Sequence, residues 1–412
     1  MINFNELDLD FINQCEHDCL EKFKEIDAIE LENQLKVLNA FNKNDIQAYH
    51  FIGSSGYGHN DIGKEKISKL FADIFHTEDA FVSPLISCGT EAISQALFGI
   101  LRPGDNMLSI SGEPYDTLKN IIHGVEGKNV GSLKDYCIEY NKVDLVNNDF
   151  NVPEIIKAIK QYNPKIIYIQ RSRGYSLRNA LNISQIENII KEVKNITSAY
   201  IVVDNCYGEF TETLEPTDVG ADLVIGSLLK NMGGGIAPTG GYLAGRAELI
   251  ELISYKLTSP ALGVDIGSYE PGYKLFFEGV FVSPHVVAQA KKLVALTSVA
   301  LNKLGFKTIP TISNTFSDIV CTIQFNDKNK LLSFTRAIQA SSAIDSNSYL
   351  EAGEMDGYED KIVMASGSFN QGSSIELSCD GPMREPYAGY LQGCLSYTHG
   401  KIGLLNAIKT LL

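Results

Sequence analysis

The sequence contains no uninterrupted run of 18 apolar residues, so it predicts no helix that spans a membrane. Its first residues, MINFNELDLDF, are acidic and lack the basic start and apolar core of a secretory signal. We therefore expect a protein that is neither secreted nor inserted in a membrane. A cytoplasmic location is the prediction that follows.

An excess of positive charge is also missing, because 35 Lys and Arg face 50 Asp and Glu and the formal net charge is -15. Nucleic-acid binding needs a basic face, so we expect no such partner. The two closest of the eight cysteines, Cys15 and Cys19, flank His17 with no second Cys or His pair nearby. We interpret them as free thiols of a reducing compartment, and we expect no metal site.

The glycine-rich motifs of nucleotide-binding proteins are absent as well. The stretch DLVIGSLLKNMGGG (222–235) places its glycines after Lys230, whereas a P-loop needs them before its lysine. No G-x-G-x-x-G joins a first strand to a helix. Two readings of Lys230 stay open at this point, a surface lysine and the covalent anchor of a cofactor.

Strand-like and helix-like segments alternate through most of the chain. Apolar runs typical of buried strands alternate with helical periodicity, which predicts an α/β protein with a mostly parallel sheet covered on both faces. The apolar runs lie at 80–87, 106–110, 165–170, 200–204, 222–227 and 240–245.

A chain of 412 residues predicts more than one core. Residues 16–41 have helical spacing, and a later region alternates helices with short strands such as 373–378. We predict an N-terminal helical arm (1–50), a large domain (51–287) and a smaller α+β C-terminal domain (288–412).

Several predicted strands are followed by residues that can contact a ligand. Ser87, Gly89 and Thr90 precede an amphipathic helix, as a phosphate site or as a plain N-cap. Asp204 is a counter-ion to a cationic ring or metal, or an ordinary N-cap or turn aspartate. Tyr115 stacks on a planar ligand or packs as an ordinary aromatic.

Taken together, these residues favour one cofactor. Open α/β sheets bind ligands at the carboxyl ends of their strands, where all of these groups would meet. Pyridoxal phosphate (PLP) needs a lysine Schiff base and a carboxylate at its pyridinium nitrogen, with a cradle for its phosphate. The sequence therefore favours Lys230 as the covalent anchor and Asp204 as the acid.

The chain resembles fold-type-I PLP enzymes of the cystathionine and methionine metabolism group. The motifs SCGTEA, EPYDT, VVDNCYGEF, DLVIGSLLKNMGGG and APTGGYLAG occur in that order, with REPYAGYLQGCLSYTHGKIG near the end. More narrowly, it looks like the methionine gamma-lyase or aluminium-resistance branch, which is cystathionine beta-lyase-like. The resemblance implies an aspartate aminotransferase-type fold, PLP bound in the large domain, and a homodimer or homotetramer with shared active sites.

The resemblance also implies a role for each matching residue. Lys230 would hold PLP and move protons, Asp204 would keep the ring nitrogen protonated, and Tyr115 would stack on the ring and assist proton transfer. Arg384 would bind the substrate carboxylate, and Tyr57 would reach the phosphate of a neighbouring subunit. The other expected cofactor contacts are Cys88, Gly89, Thr90, Gln170 and Ser227.

One departure concerns the phosphate, because related lyases carry YSR where this chain has GYGHN. Arg171 or Arg173 is the candidate replacement, although these residues and Arg178 also suit a solvated basic loop. The expected activity is carbon–sulfur cleavage of a sulfur amino acid, of the methionine gamma-lyase or cystathionine beta/gamma-lyase type, giving thiol, α-keto acid and ammonia. The alternatives are another PLP enzyme, such as an aminotransferase, and a non-catalytic binding protein linked to metal resistance.

Overall fold

The structure is a computed structural model that describes residues 2–355 and 357–412. The helices in this part are α1 (Glu6–Asp18), α2 (Leu20–Lys43), α3 (Ile62–Ile74), α4 (Gly89–Ile100), α5 (Asp116–His123), α6 (Val152–Tyr162), α7 (Ile183–Lys194), α8 (Ala247–Leu257), α9 (Lys274–Lys303), α10 (Lys328–Ala340) and α11 (Tyr397–Ile408). Within these ranges, no helix is both long and apolar enough to cross a bilayer.

The strands form two sheets, one of seven strands and one of five. They are β1 (Asp79–Ser83), β2 (Asn106–Ser109), β3 (Glu139–Lys142), β4 (Ile166–Gln170), β5 (Tyr200–Asp204), β6 (Leu223–Ser227), β7 (Gly241–Gly245), β8 (Lys307–Ile309), β9 (Val320–Gln324), β10 (Ile362–Ala365), β11 (Ser378–Pro382) and β12 (Ala388–Gln392).

The large sheet has the order β1-β7-β6-β5-β4-β2-β3. Strand β7 pairs antiparallel with β1 and β6, and the other neighbouring strands pair in parallel. The predicted α/β class with a mostly parallel sheet is therefore confirmed. Its central strands β2, β4 and β6 are buried along their whole length, which is why they are visible as apolar runs.

The strands that the sequence prediction missed or misplaced are those without an apolar run. Strand β3 forms the edge of the large sheet and its side chains are partly exposed, so nothing apolar marks it. The predicted strand 373–378 is wrong, because the structure places β11 at Ser378–Pro382. Strand β12, which is rich in small and polar residues, has no counterpart among the predictions.

The smaller sheet is antiparallel, in the order β10-β11-β12-β9-β8. Helix α9 joins the two cores, because Phe277 and Val280 pack with the large sheet while Leu293 and Leu296 pack with the small one. The predicted boundary between 287 and 288 falls inside this helix. The limits 1–50, 51–287 and 288–412 stay predictions.

The N-terminal helices also contact both cores. Val37 of α2 packs in the core of the large sheet, whereas Cys15 and Cys19 are buried in that of the small sheet. Burial raises the pKa of the Cys19 thiol to about 12. In the described part of the chain, no three His, Cys, Asp or Glu side chains are grouped as metal ligands.

The glycines after Lys230 allow the chain to pass close to its own backbone. A Cβ at Gly233 would lie 1.7 Å from the carbonyl oxygen of Leu228, and one at Gly234, which has a φ of 56°, would lie 2.6 Å from that of Gly279. This tight turn fixes the position of the segment that carries Lys230.

We expect Gly233→Ala to lower the free energy of unfolding by about 3 kcal/mol, because the new methyl group overlaps backbone atoms that cannot move away. Urea denaturation measures the loss. Gly353→Ala is the matched control, since a Cβ at Gly353 meets no atom within 4 Å. An equal effect of the two substitutions would contradict this account of the turn.

Candidate active site

A cavity of about 280 Å³ opens at the carboxyl edge of the large sheet and is closed on its other side by the small sheet. Parallel strands bring their carboxyl ends to one edge, so residues distant in sequence meet here. From the large-sheet side, the cavity is lined by Thr90, Tyr115, Asp204 and Lys230.

Lys230 lies three residues after the end of β6 and its side chain lines the cavity. Its Nζ atom is 4.2 Å from the centre of the Tyr207 ring. Burial lowers the pKa of the amine, but Cys206, Tyr207 and Asp204 outweigh that effect, and the pKa lies above its ordinary value. The reading of Lys230 as a surface lysine is therefore wrong.

Asp204 ends β5, the middle strand of the large sheet, and is only 3% exposed. Burial raises the pKa of its carboxyl group, and the positive charge of Lys230 opposes that effect. Its Oδ1 atom accepts the Cys206 N–H at 3.1 Å, a contact typical of a turn aspartate. This turn contact holds the carboxylate at the cavity wall, where a cationic ring would supply a partner.

The start of α4 beside the cavity has no side-chain cap. Cys88 occupies the N-cap position without making a cap hydrogen bond. The Ser87 hydroxyl donates to Glu91, and Thr90 Oγ1 is hydrogen-bonded to the Tyr115 hydroxyl at 2.9 Å. The alternative of plain N-capping is therefore wrong, and the first N–H groups of α4 remain available to an anion.

Gly89 and Ser227 lie together beside this helix start. A Cβ at Gly89 would come within 3.3 Å of both Cys206 Sγ and Ser227 Cβ, so glycine is what fits there. The Ser227 hydroxyl accepts the Leu229 N–H at 3.1 Å. Neither residue lines the cavity itself, but each is next to or near a residue that does, Thr90 for Gly89 and Lys230 for Ser227.

Gln170 is hydrogen-bonded to the backbone of residues that line the cavity. It ends β4 directly beside Asp204 of β5, and its Oε1 atom accepts the backbone N–H of Tyr115 at 2.8 Å. Its Nε2 group donates to the Ser172 carbonyl oxygen at 3.1 Å. The structure thus gives Gln170 a contact that positions Tyr115, while its role as a cofactor contact stays a prediction.

Two predicted site residues lie outside the cavity. Arg384 does not line the cavity: its half-exposed guanidinium follows β11 and donates to Asp360 at 2.7 Å, so the structure does not bring it to the other site residues. Tyr57 is 73% exposed in the loop before α3 and does not line this chain's cavity. Its predicted contact with a neighbouring subunit stays a prediction.

The three arginines after β4 are buried or partly buried, so the solvated-loop interpretation is wrong. Arg171 is fully buried and donates to Glu212 and to backbone carbonyl groups, which makes it structural rather than a phosphate ligand. Arg178 donates to backbone carbonyl oxygens, including that of Ser172. Arg173 alone among the three lines the cavity, and it pairs with Asp318 through two hydrogen bonds of 3.0 and 2.9 Å.

The cavity also has a wall that the sequence analysis missed. Asp380, Tyr390 and Gln392 come from the small sheet, and Tyr207 follows Asp204 within the quoted motif VVDNCYGEF. The nearest sequence signal is that motif, whose tyrosine lies three residues after the acid that ends the strand. The alternating side chains of β11 and β12 carry no comparable signal.

The described residues fit PLP. The uncapped start of α4 suits the phosphate, and the space beside Gly89 is closed by Cys206 and Ser227. The buried Asp204 suits the ring nitrogen, and the amine of Lys230 faces the same cavity. A phosphate site, a carboxylate for the ring nitrogen and a lysine amine are the groups that the cofactor requires.

Comparisons with known proteins agree with this arrangement. The family profile described as Methionine gamma-lyase matches residues 8–412. The uncharacterized protein YnbB of Bacillus subtilis (strain 168) is 44% identical over 400 residues, which cover 97% of this chain and 95% of that protein. A carbon-sulfur lyase involved in aluminum resistance from Clostridium novyi NT is 46% identical, with a TM-score of 0.95 and coverage of 100% of this chain and 97% of that one.

A more distant structure shows the fold alone. The pyridoxal-5'-phosphate dependent protein YhfS of Escherichia coli is 15% identical, with a TM-score of 0.63 over 94% of this chain and 96% of that one. The family match over residues 8–412 and the similar relatives confirm the resemblance that the motifs indicated. The chain belongs to the methionine gamma-lyase family.

Proposed function

We propose that the protein is a PLP-dependent carbon–sulfur lyase that acts on a sulfur amino acid. The observation that carries the proposal is the meeting of Lys230 and Asp204 in one cavity, beside the uncapped start of α4. When bound, PLP supplies an electron sink for the substrate's Cα. The name of the Clostridium novyi relative supports the choice of a carbon–sulfur bond.

The chain's own residues have separate tasks in this proposal. Lys230 would hold the cofactor through its amine, and the same amine would be the base that accepts the substrate's Cα proton. Asp204 keeps a proton on the ring nitrogen. Burial raises the pKa of the Tyr115 phenol, so it stays protonated and is a donor for the departing sulfur.

The start of α4 and its neighbours orient the cofactor. The N–H groups of Gly89 and Thr90 and the hydroxyl of Ser227 would hold the phosphate, with Cys88 at the N-cap. An exposed Tyr57 is available to a second subunit, which supports a homodimer or homotetramer with shared sites. Buried free thiols support a cytoplasmic location.

A substrate panel tests the reaction type. Purified protein loaded with PLP is incubated with L-methionine, L-cystathionine, L-homocysteine and L-cysteine, and thiol, α-keto acid and ammonia are measured. We expect ammonia and keto acid in equal amounts from at least one of the four. Amino-group transfer to an added keto acid without ammonia would show an aminotransferase instead, and a protein that binds no PLP would overturn the proposal.

A further inference from the structure

The charges that line the cavity are balanced with one exception. Arg173 pairs with Asp318 at 2.9 Å, and Asp116 pairs with Lys119 at 2.7 Å. Asp204 has Lys230 as its charged neighbour. Asp380 also lines the cavity, and no Lys or Arg of the described chain forms an ion pair with it.

Asp380 is held in place by its position in the small sheet. It lies opposite Tyr390 in the register of β11 and β12, and Gln392 lies two residues further along the same face. The Nε2 group of Gln392 donates to Asp380 Oδ2 at 3.2 Å. Asp380 is 9% exposed, so its carboxylate has lost most of its hydration and has only neutral donors beside it.

Aromatic rings complete the surroundings of Asp380. Tyr175, Tyr358 and Tyr390 all line the cavity with it. The Tyr175 ring centre lies 5.0 Å from that of Tyr390 and 5.7 Å from that of Tyr358. A buried carboxylate among tyrosine rings is an environment that attracts an ammonium group, through direct charge pairing and through the faces of the rings.

Burial raises the pKa of Asp380 to about 7, although the hydrogen bonds from Tyr175 and Gln392 act in the opposite direction and lower it. A cation that enters the cavity favours the ionised form and removes the cost of leaving that form unpaired. Asp380 belongs to the small-sheet wall, whereas Lys230 and Asp204 belong to the large-sheet wall. A ligand held between them would therefore have its reacting end at Lys230 and its far end at Asp380.

We infer that Asp380 binds an ammonium group on the far side of the sulfur, so that the substrate class is a thioether amino acid whose leaving thiol carries a second positive charge. This inference rests on the proposed lyase function and selects among its substrates. It favours a thioether of the cystathionine kind over methionine, whose far end is an uncharged methyl group.

Two isosteric probes test the inference in the PLP-loaded protein. S-(2-aminoethyl)-L-cysteine carries the ammonium group, S-propyl-L-cysteine replaces it with a methyl group, and the homocysteine analogues of both cover γ-elimination. We expect kcat/KM to be about tenfold or more higher for the ammonium probe than for the propyl probe. Equal values in an active enzyme would overturn the inference while the lyase function stands.

The variant Asp380→Asn separates charge from shape. We expect kcat/KM for the ammonium probe to fall about tenfold or more, while that for the propyl probe changes less than about threefold. Asp360→Asn is the matched control, since Asp360 pairs with Arg384 outside the cavity, and it should preserve the preference. An equal loss on both probes in Asp380→Asn would show a structural role and overturn the inference.

Binding provides a readout that does not depend on turnover. Calorimetry of the same two probes with wild-type protein and Asp380→Asn should show tighter binding of the ammonium probe to wild type only. If no substrate is cleaved, the lyase proposal fails, yet this preference still tests the ammonium site. If Asp380→Asn does not fold, the wild-type comparison of the two probes decides alone.

Discussion

Lys230→Ala is expected to abolish covalent attachment of PLP and to lower carbon–sulfur cleavage by at least about a thousandfold. The amine of Lys230 is the group in the cavity that can both anchor the cofactor and accept the Cα proton, so a single substitution removes two contributions. The visible absorbance of bound PLP measures attachment. Borohydride reduction followed by peptide mass analysis locates the modified lysine in the wild-type protein.

A matched substitution shows whether the effect is local. Lys256 is an exposed lysine of α8, so Lys256→Ala should keep both the absorbance and the activity. If the Lys230 variant stays yellow after dialysis, and reduction attaches PLP to another lysine, the assignment of the anchor is wrong. If the wild-type protein does not bind PLP at all, the proposed function fails before the anchor is in question.

Local patterns account for the part of the site that could be predicted from the sequence. Strands buried on both faces appear as apolar runs, and the residue that ends such a run lies at the carboxyl edge whatever the order of the strands. This pattern predicts Asp204, which ends such a run, and Lys230, which lies three residues after one, and the structure places both at one cavity. Their roles toward PLP stay predictions.

The opposite wall of the cavity depends on contacts that no local pattern shows. Whether Asp380 faces the cavity is set by the register of β11 against β12, because a shift by one residue would turn it to the other face. Arg384 illustrates the same limit, since its motif suggested a carboxylate ligand while its side chain pairs with Asp360. The sequence leaves Arg171 as either a phosphate ligand or part of a solvated loop, because burial of its guanidinium depends on a distant turn. In the structure the Arg171 guanidinium donates to the carbonyl oxygen of Gly208 in that turn at 2.8 Å.

Asp204→Asn is expected to lower elimination about a thousandfold while the protein still folds and still binds PLP through Lys230. Asparagine keeps the shape of the side chain and its acceptor for the Cys206 N–H, but it cannot hold a proton on the ring nitrogen by charge. Because burial disfavours the Asp204 carboxylate, its neutral replacement should not lower the melting temperature. Kinetics, absorbance of bound PLP and thermal melting measure the three effects separately.

Asp222→Asn is the control at the opposite edge of the same sheet. Asp222 precedes β6, its carboxylate accepts the Ile201 N–H at 2.8 Å, and it pairs with Lys194 at 3.2 Å. Its loss should therefore lower the melting temperature and leave elimination nearly unchanged, the reverse of Asp204→Asn. Full activity in Asp204→Asn would remove the electron-sink role, because the carboxylate at the end of β5 would then be needed only for the turn that follows it.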